Sequence, residues 1–211
     1  MKPTTLVALA IVAVAPLFAG DASARPRPRG YYAQPPPDSQ LPGGFHNRQG
    51  RLAFGFSGGL GGMHDDFGDL QCDGCRALSG EADLHVGGFV GPRLALLLEL
   101  QGNIQQVSQG AFVEDDEFLI QSAAMIAGQF WITPQLWLKG GVGFANLHVE
   151  NNLGESSPAE NGLAFMGAAG FEVFSARNMA VDLQGRIING SYEGIDNNIT
   201  GITVGVGISW Y

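Results

Sequence analysis

In the last eleven residues, GITVGVGISWY, the apolar Ile202, Val204, Val206, Ile208 and Trp210 alternate strictly with Thr203, Gly205, Gly207 and Ser209. A period of two residues defines a β-strand with two chemically different faces. The same period recurs upstream. Leu52, Phe54 and Phe56 open it; Leu84, Val86 and Val90 follow, then Leu94, Leu96, Leu98, Leu100 and Ile104. Phe118, Ile120, Ala124, Ile126 and Phe130 make a fourth stretch, and Leu136, Leu138, Val142 and Phe144 a fifth. Leu163, Phe165, Ala169, Phe171 and Val173, then Met179, Val181, Leu183 and Ile187, precede the final strand. The chain is therefore all-β, with eight segments of about the 9 to 11 residues that a tilted membrane strand requires.

The connections alternate in length. Gly91-Pro92-Arg93, Thr133-Pro134-Gln135 and Ser175-Ala176-Arg177-Asn178 are tight turns. Between them run long polar excursions, near residues 61–80, 105–117, 149–161 and 189–198. Short turns at one end and long loops at the other predict an antiparallel up-and-down barrel crossing a membrane, both chain ends on the short-turn side.

A soluble eight-stranded barrel also alternates, with its apolar face inward. The other face decides between the two. It carries Gly141, Gly143, Ala145, Ala164, Ala168, Gly170, Gly205 and Gly207, which suit a crowded interior and solubilise an exterior poorly. Only 15% of residues are charged, against about 25% in ordinary soluble domains, so the apolar face is assigned to lipid. Phe130, Trp131, Trp137, Phe171, Phe174, Trp210 and Tyr211 all fall near the turns, where an interfacial aromatic girdle is expected. A net charge of −9 without a basic cluster excludes nucleic acid as a partner.

The first residues read as an export signal. Lys2 precedes an apolar run from Leu6 to Phe18, and Ala22-Ser23-Ala24 supplies small residues for cleavage before Arg25. Residues 1–24 are thus a signal peptide. Residues 25–47, RPRPRGYYAQPPPDSQLPGGFHN, are too proline-rich for a ladder and read as a periplasmic leader. Arg25, Arg27 and Arg29 leave a docking strip for peptidoglycan or a partner as the alternative.

The segment TVGVGISW resembles the C-terminal assembly signal of bacterial outer-membrane barrels. It has polar Thr203, Gly205 two residues on, hydrophobic Ile208 and aromatic Trp210, with Tyr211 one residue beyond the usual aromatic end. With the strand count and turn pattern, residues 48–211 resemble the small OmpA/OmpX-type barrels of Gram-negative bacteria. The resemblance implies recognition of the last strand by the barrel-assembly machinery. It also implies a home in the outer membrane among lipid and lipopolysaccharide. No peptidoglycan-binding domain of the full OmpA kind is expected after the barrel.

On the lumen register fall Asp83, His85, Glu99, Lys139, Glu172, Asp182 and Arg186. Burying a charge costs several kcal/mol unless it is paired, so these are expected to form a polar plug. Lys139 with Glu172, Asp182 beside them, and Glu99 with Arg186 across the lumen are the expected pairs. An interior of eight strands is normally filled by side chains, so no open pore is expected. A gated ion path is the alternative.

Cys72 and Cys75, the only cysteines, lie in the first long loop of an exported chain and are expected to form a disulfide. His64, Asp65, Asp66, Asp69 and Asp73 beside them leave a metal site as the alternative. Two reactive thiols in unreduced protein would remove the disulfide. The outer loops hold thirteen acidic residues, from Asp65 to Asp196, against Arg76 alone. They read as solvated surface or as a divalent-cation bridge to surface glycolipid.

Enzymatic chemistry finds little support. His46, His64, His85 and His148 lack the His-x-Ser spacing of a serine lipid deacylase, and His148 with Glu150 is a weak acid/base pair. No phosphate loop, metalloprotease motif or nucleotide fingerprint occurs, and no cofactor is expected. The sequence thus predicts a non-enzymatic barrel serving envelope structure or surface interaction. A small-solute, porin-like channel or a lipid-modifying barrel enzyme is the runner-up.

Overall fold

The computed structural model describes residues 48–65, 68–69, 78–107, 117–151, 159–176, 178–193 and 198–211. The signal peptide, the proline-rich leader, Cys72, Cys75, Arg177 and most of the acidic loops lie outside the described residues. Eight long strands carry the fold: β1 (Leu52–Asp65), β2 (Ser79–Phe89), β3 (Leu94–Val107) and β4 (Glu117–Trp131). They continue as β5 (Leu136–Asn151), β6 (Glu160–Ser175), β7 (Met179–Tyr192) and β8 (Asn198–Trp210). Each pairs antiparallel with the next, and β8 returns to β1, with Phe54 opposite Trp210 and His64 opposite Thr200. A two-residue return, Gly68–Asp69, pairs with the outer end of β1.

The ladder register fixes the shape of the barrel. From Leu52 it passes through Gly88, Leu96, Gly128 and Gly140. It then runs through Gly167, Ile187 and Ile202 and meets β1 again at Gly62, ten residues beyond its start. With about 3.3 Å per residue and 4.8 Å between strands, that stagger tilts the strands by about 40° and leaves a radius of about 8 Å. A barrel so narrow is filled by its own side chains.

Its closure also sets which side meets lipid. All the long apolar side chains of the alternating pattern stand outside, Phe144 at 75% and Val204 at 70% exposure. A closed sheet satisfies its main-chain groups internally, so an apolar exterior of this kind has hydrocarbon as its solvent. The soluble alternative is excluded, because its Leu, Val and Phe would have to face inward.

From Leu52 to Gly62 the apolar belt rises about 25 Å, the height of an outer-membrane hydrocarbon layer. Above it the outward face turns polar. Asn146 donates to Asn161 at 3.2 Å and Asn189 to Thr200 at 2.8 Å. The strands are longer than the sequence predicts, 16 residues in β5 and β6. The ladder continues past the belt into stretches expected to be loop, as at Val149–Asn151 and Asn189–Tyr192, because pairing does not stop where apolarity does.

At the turn end, Val90 and Gly91 donate to the Leu94 carbonyl, and Ile132 and Thr133 to that of Leu136. The Thr133 hydroxyl caps its turn by accepting from the Leu136 amide at 2.9 Å. The β1–β8 seam is clasped outside by Trp210, stacked on Phe54 with ring centroids 5.2 Å apart.

Candidate functional site

Because strand side chains alternate, the residues out of phase with the apolar belt converge in the lumen. Halfway up, Arg186 on β7 is the hub. Its guanidinium lies 2.7 Å from Glu99 and 3.1 Å from Glu81, and it also donates to Asp83. Glu99 is shared, since Lys139 Nζ sits 3.1 Å from its other oxygen. Ser57 donates to Asp83, and His85 bridges Asp83 and Ser209 at 3.2 Å on each side. Thr203 donates to Glu81 at 3.3 Å. These groups are nearly fully enclosed, and Glu99 is 0% exposed. Enclosed charges of both signs within contact distance form a plug whose members depend on one another.

Nearer the loop end the lining turns to amides. Gln105 accepts from the Met63 amide at 2.6 Å, Asn103 donates to Gln121 at 3.2 Å, and Gln121 donates to Tyr192 at 2.7 Å. The lumen is crossed here by neutral hydrogen bonds.

At the turn end a second charged cluster forms the floor. Glu172 on β6 is completely buried and receives both Nη atoms of Arg48 at 2.9 Å. Trp131 Nε1 also donates to it at 2.8 Å and the Tyr211 hydroxyl at 3.4 Å. The Arg48 guanidinium stacks over Tyr211 at 4.1 Å and Trp131 at 5.0 Å. Burial first, and then the Glu172 carboxylate, push the Tyr211 hydroxyl well above its usual range, so it remains a neutral donor. Glu172 points inward by the ordinary alternation of its strand, and a bulge between Glu172 and Phe174 then leaves both Val173 and Phe174 outside.

The seven residues expected in the lumen, Asp83, His85, Glu99, Lys139, Glu172, Asp182 and Arg186, are all buried there. Glu99 and Arg186, four strands apart, meet across it. Lys139 and Glu172 do not pair. Glu172 is level with Gln135, donating its amide to that carbonyl, so Lys139 stands four residues higher and reaches Glu99 instead. Four residues are about 13 Å of strand, too far for the direct pair. Asp182 lies beside Glu172 in register, but its Oδ1 has no hydrogen-bond partner among the described residues.

The outward aromatic girdle is smaller than the sequence predicts. Phe130, Phe171, Phe174 and Trp210 face out, whereas Trp131 and Trp137 are buried at 3% and 2% and Tyr211 turns into the floor. The sequence already held the signal: each inward aromatic is out of phase with its apolar neighbours, Trp131 beside Phe130 and Tyr211 beside Trp210. Arg48 precedes β1 and has no strand phase, so the period of two does not place it in the floor.

No protein-family model matches the chain, and no curated protein matches it in sequence. Solved structures do. The attachment invasion locus protein Ail of Yersinia pestis aligns at 14% identity and a TM-score of 0.50, over 74% of this chain and 97% of that one. The fold is that of a small outer-membrane barrel. Neisserial surface protein A aligns at 13% identity and a TM-score of 0.49, over 75% and 95%. At such identities the likeness concerns architecture alone. The barrel's charge networks are therefore read from its own residues.

Proposed function

We propose that this barrel is a non-enzymatic outer-membrane protein, its lumen plugged, that serves envelope structure or surface contact through acidic extracellular loops. The observation that carries the reading is the interior: a floor at Arg48–Glu172, an ionic layer around Arg186 and an amide layer at Gln121 succeed one another along the axis. Each layer must break before solute passes. At the rim, His148 Nδ1 has no hydrogen-bond partner among the described residues, which gives no support to the weak acid/base pair with Glu150.

Charge placement narrows the surface partner. Arg48, Lys139 and Arg186 are enclosed, Arg51 and Arg93 lie at the turn end, and by sequence Arg177 joins them, so Arg76 is the one cation of the outer loops. Ail has been crystallised with the heparin analogue sucrose octasulfate, a polyanion. Acidic loops repel such a ligand and favour a cationic surface, or lipopolysaccharide through divalent cations. Recognition of the strand ending at Trp210 by the assembly machinery, and contact of the leader with peptidoglycan, belong to the same reading.

The test measures surface binding, conductance and lipid turnover of the reconstituted barrel. Binding to polylysine-coated beads that chelator leaves intact, or calcium-dependent binding to lipopolysaccharide, supports surface contact; preference for heparin beads refutes it. Large, long-lived conductance in a planar bilayer would establish the channel instead, and lipid turnover the enzyme.

A further inference from the structure

The floor has the make-up of a receptor for a planar cation. Its walls are Phe89, Trp131 and Tyr211, from β2, β4 and the end of β8, with ring centroids 5.2 to 6.2 Å apart. Its base is the Glu172 carboxylate of β6, held by the Trp131 and Tyr211 donors. Ser175 adds an acceptor 3.3 Å from Arg48 Nη2. Aromatic faces attract a cation, and a carboxylate takes two parallel N–H groups from a guanidinium.

The occupant is held differently from the walls. The four wall and base residues stand on or directly beside laddered strands, whereas Arg48 precedes β1 on a tight turn. That turn has the Arg51 amide donating to the Arg48 carbonyl at 3.0 Å, and Gly50 at φ +76°. A positive φ at the third turn position suits glycine, and it folds Arg48 back under the mouth. In sequence Arg48 directly follows the proline-rich residues 25–47. The guanidinium is thus a tethered guest in a site whose shape comes from the barrel.

We propose that Phe89, Trp131, Tyr211 and Glu172 form a guanidinium-binding cage at the turn-side mouth of the barrel, filled at rest by Arg48 and able to take a free guanidinium cation when Arg48 is withdrawn. The ligand class is a monosubstituted guanidinium, such as the arginine side chain of another peptide. A quaternary ammonium fits aromatic walls but has no N–H for the carboxylate, so it is the discriminating control.

The experiment uses the full mature chain carrying Arg48→Ala, folded in detergent, with ethylguanidinium as probe. Removing the arginine leaves a buried unpaired carboxylate and should lower the midpoint of the gel-mobility transition on heating by about 10 °C. Millimolar ethylguanidinium should restore at least half of that loss and change tryptophan fluorescence saturably; tetramethylammonium and sodium chloride should not. The double variant Arg48→Ala/Glu172→Gln should show no restoration, and wild type, its cage occupied, no saturable response. Failure of ethylguanidinium to restore the variant, or equal restoration by tetramethylammonium, overturns the proposal. Should Arg48→Ala not fold alone, folding yield becomes the readout: a yield raised by ethylguanidinium only supports the cage, and an unchanged yield overturns it.

Discussion

Replacing Arg186 with methionine keeps much of the side chain's length and removes its charge. Three carboxylates lose a common partner, but not equally. Asp83 keeps Ser57 and His85, and Glu99 keeps Lys139 at 3.1 Å. Among the described residues, Glu81 is left with the Thr203 hydroxyl alone, at 3.3 Å. Removing one member of an enclosed ion pair costs about 3–5 kcal/mol, because the remaining charge is desolvated without compensation. That is a large share of the roughly 5–15 kcal/mol of a typical domain.

If Glu81 bears most of the loss, Glu81→Gln in the Arg186→Met background should return about 1–2 kcal/mol, a coupling of the size contacting residues show. Glu172→Gln, on the separate floor, should only destabilise further. Urea unfolding of the detergent-folded barrel, followed by tryptophan fluorescence and by gel mobility of unheated samples, measures each step. A single variant within about 0.5 kcal/mol of wild type would refute the ionic plug, since that is the scale of an unpartnered surface position. Equal effects of Glu81→Gln and Glu172→Gln in that background would refute the allocation to Glu81.

The lipid assignment predicts a depth profile: Leu98→Lys, in the middle of the belt, should cost about 2–4 kcal/mol on folding into vesicles, and Thr200→Lys, at the polar rim, about 0–1. Equal costs would contradict the belt. Gly170 leaves room for the Trp137 indole, which a Cβ there would overlap, whereas nothing lies within 4 Å of a Cβ built at the outward Gly128. Gly170→Ala should therefore destabilise by about 1–3 kcal/mol in the urea assay, and Gly128→Ala by less than about 0.5; the reverse order would place Trp137 elsewhere.

Much of this barrel is local and therefore written in the chain. The period of two marks the eight strands; the poverty of charge on the small-residue face turns the other outward; the tight turns at Pro92 and Pro134 set the up-and-down order. Even the inward course of Trp131, Trp137 and Tyr211 follows from counting alternate positions. Partnership inside the lumen is another matter. Lys139 meets Glu99 and not Glu172, Arg186 gathers three acids from β2 and β3, and Arg48 comes from outside any strand to cap the floor. Period tells which way a side chain points, but height above the floor depends on a stagger of ten residues accumulated around a closed circuit. No single strand contains that quantity; it exists only once the last strand has paired with the first.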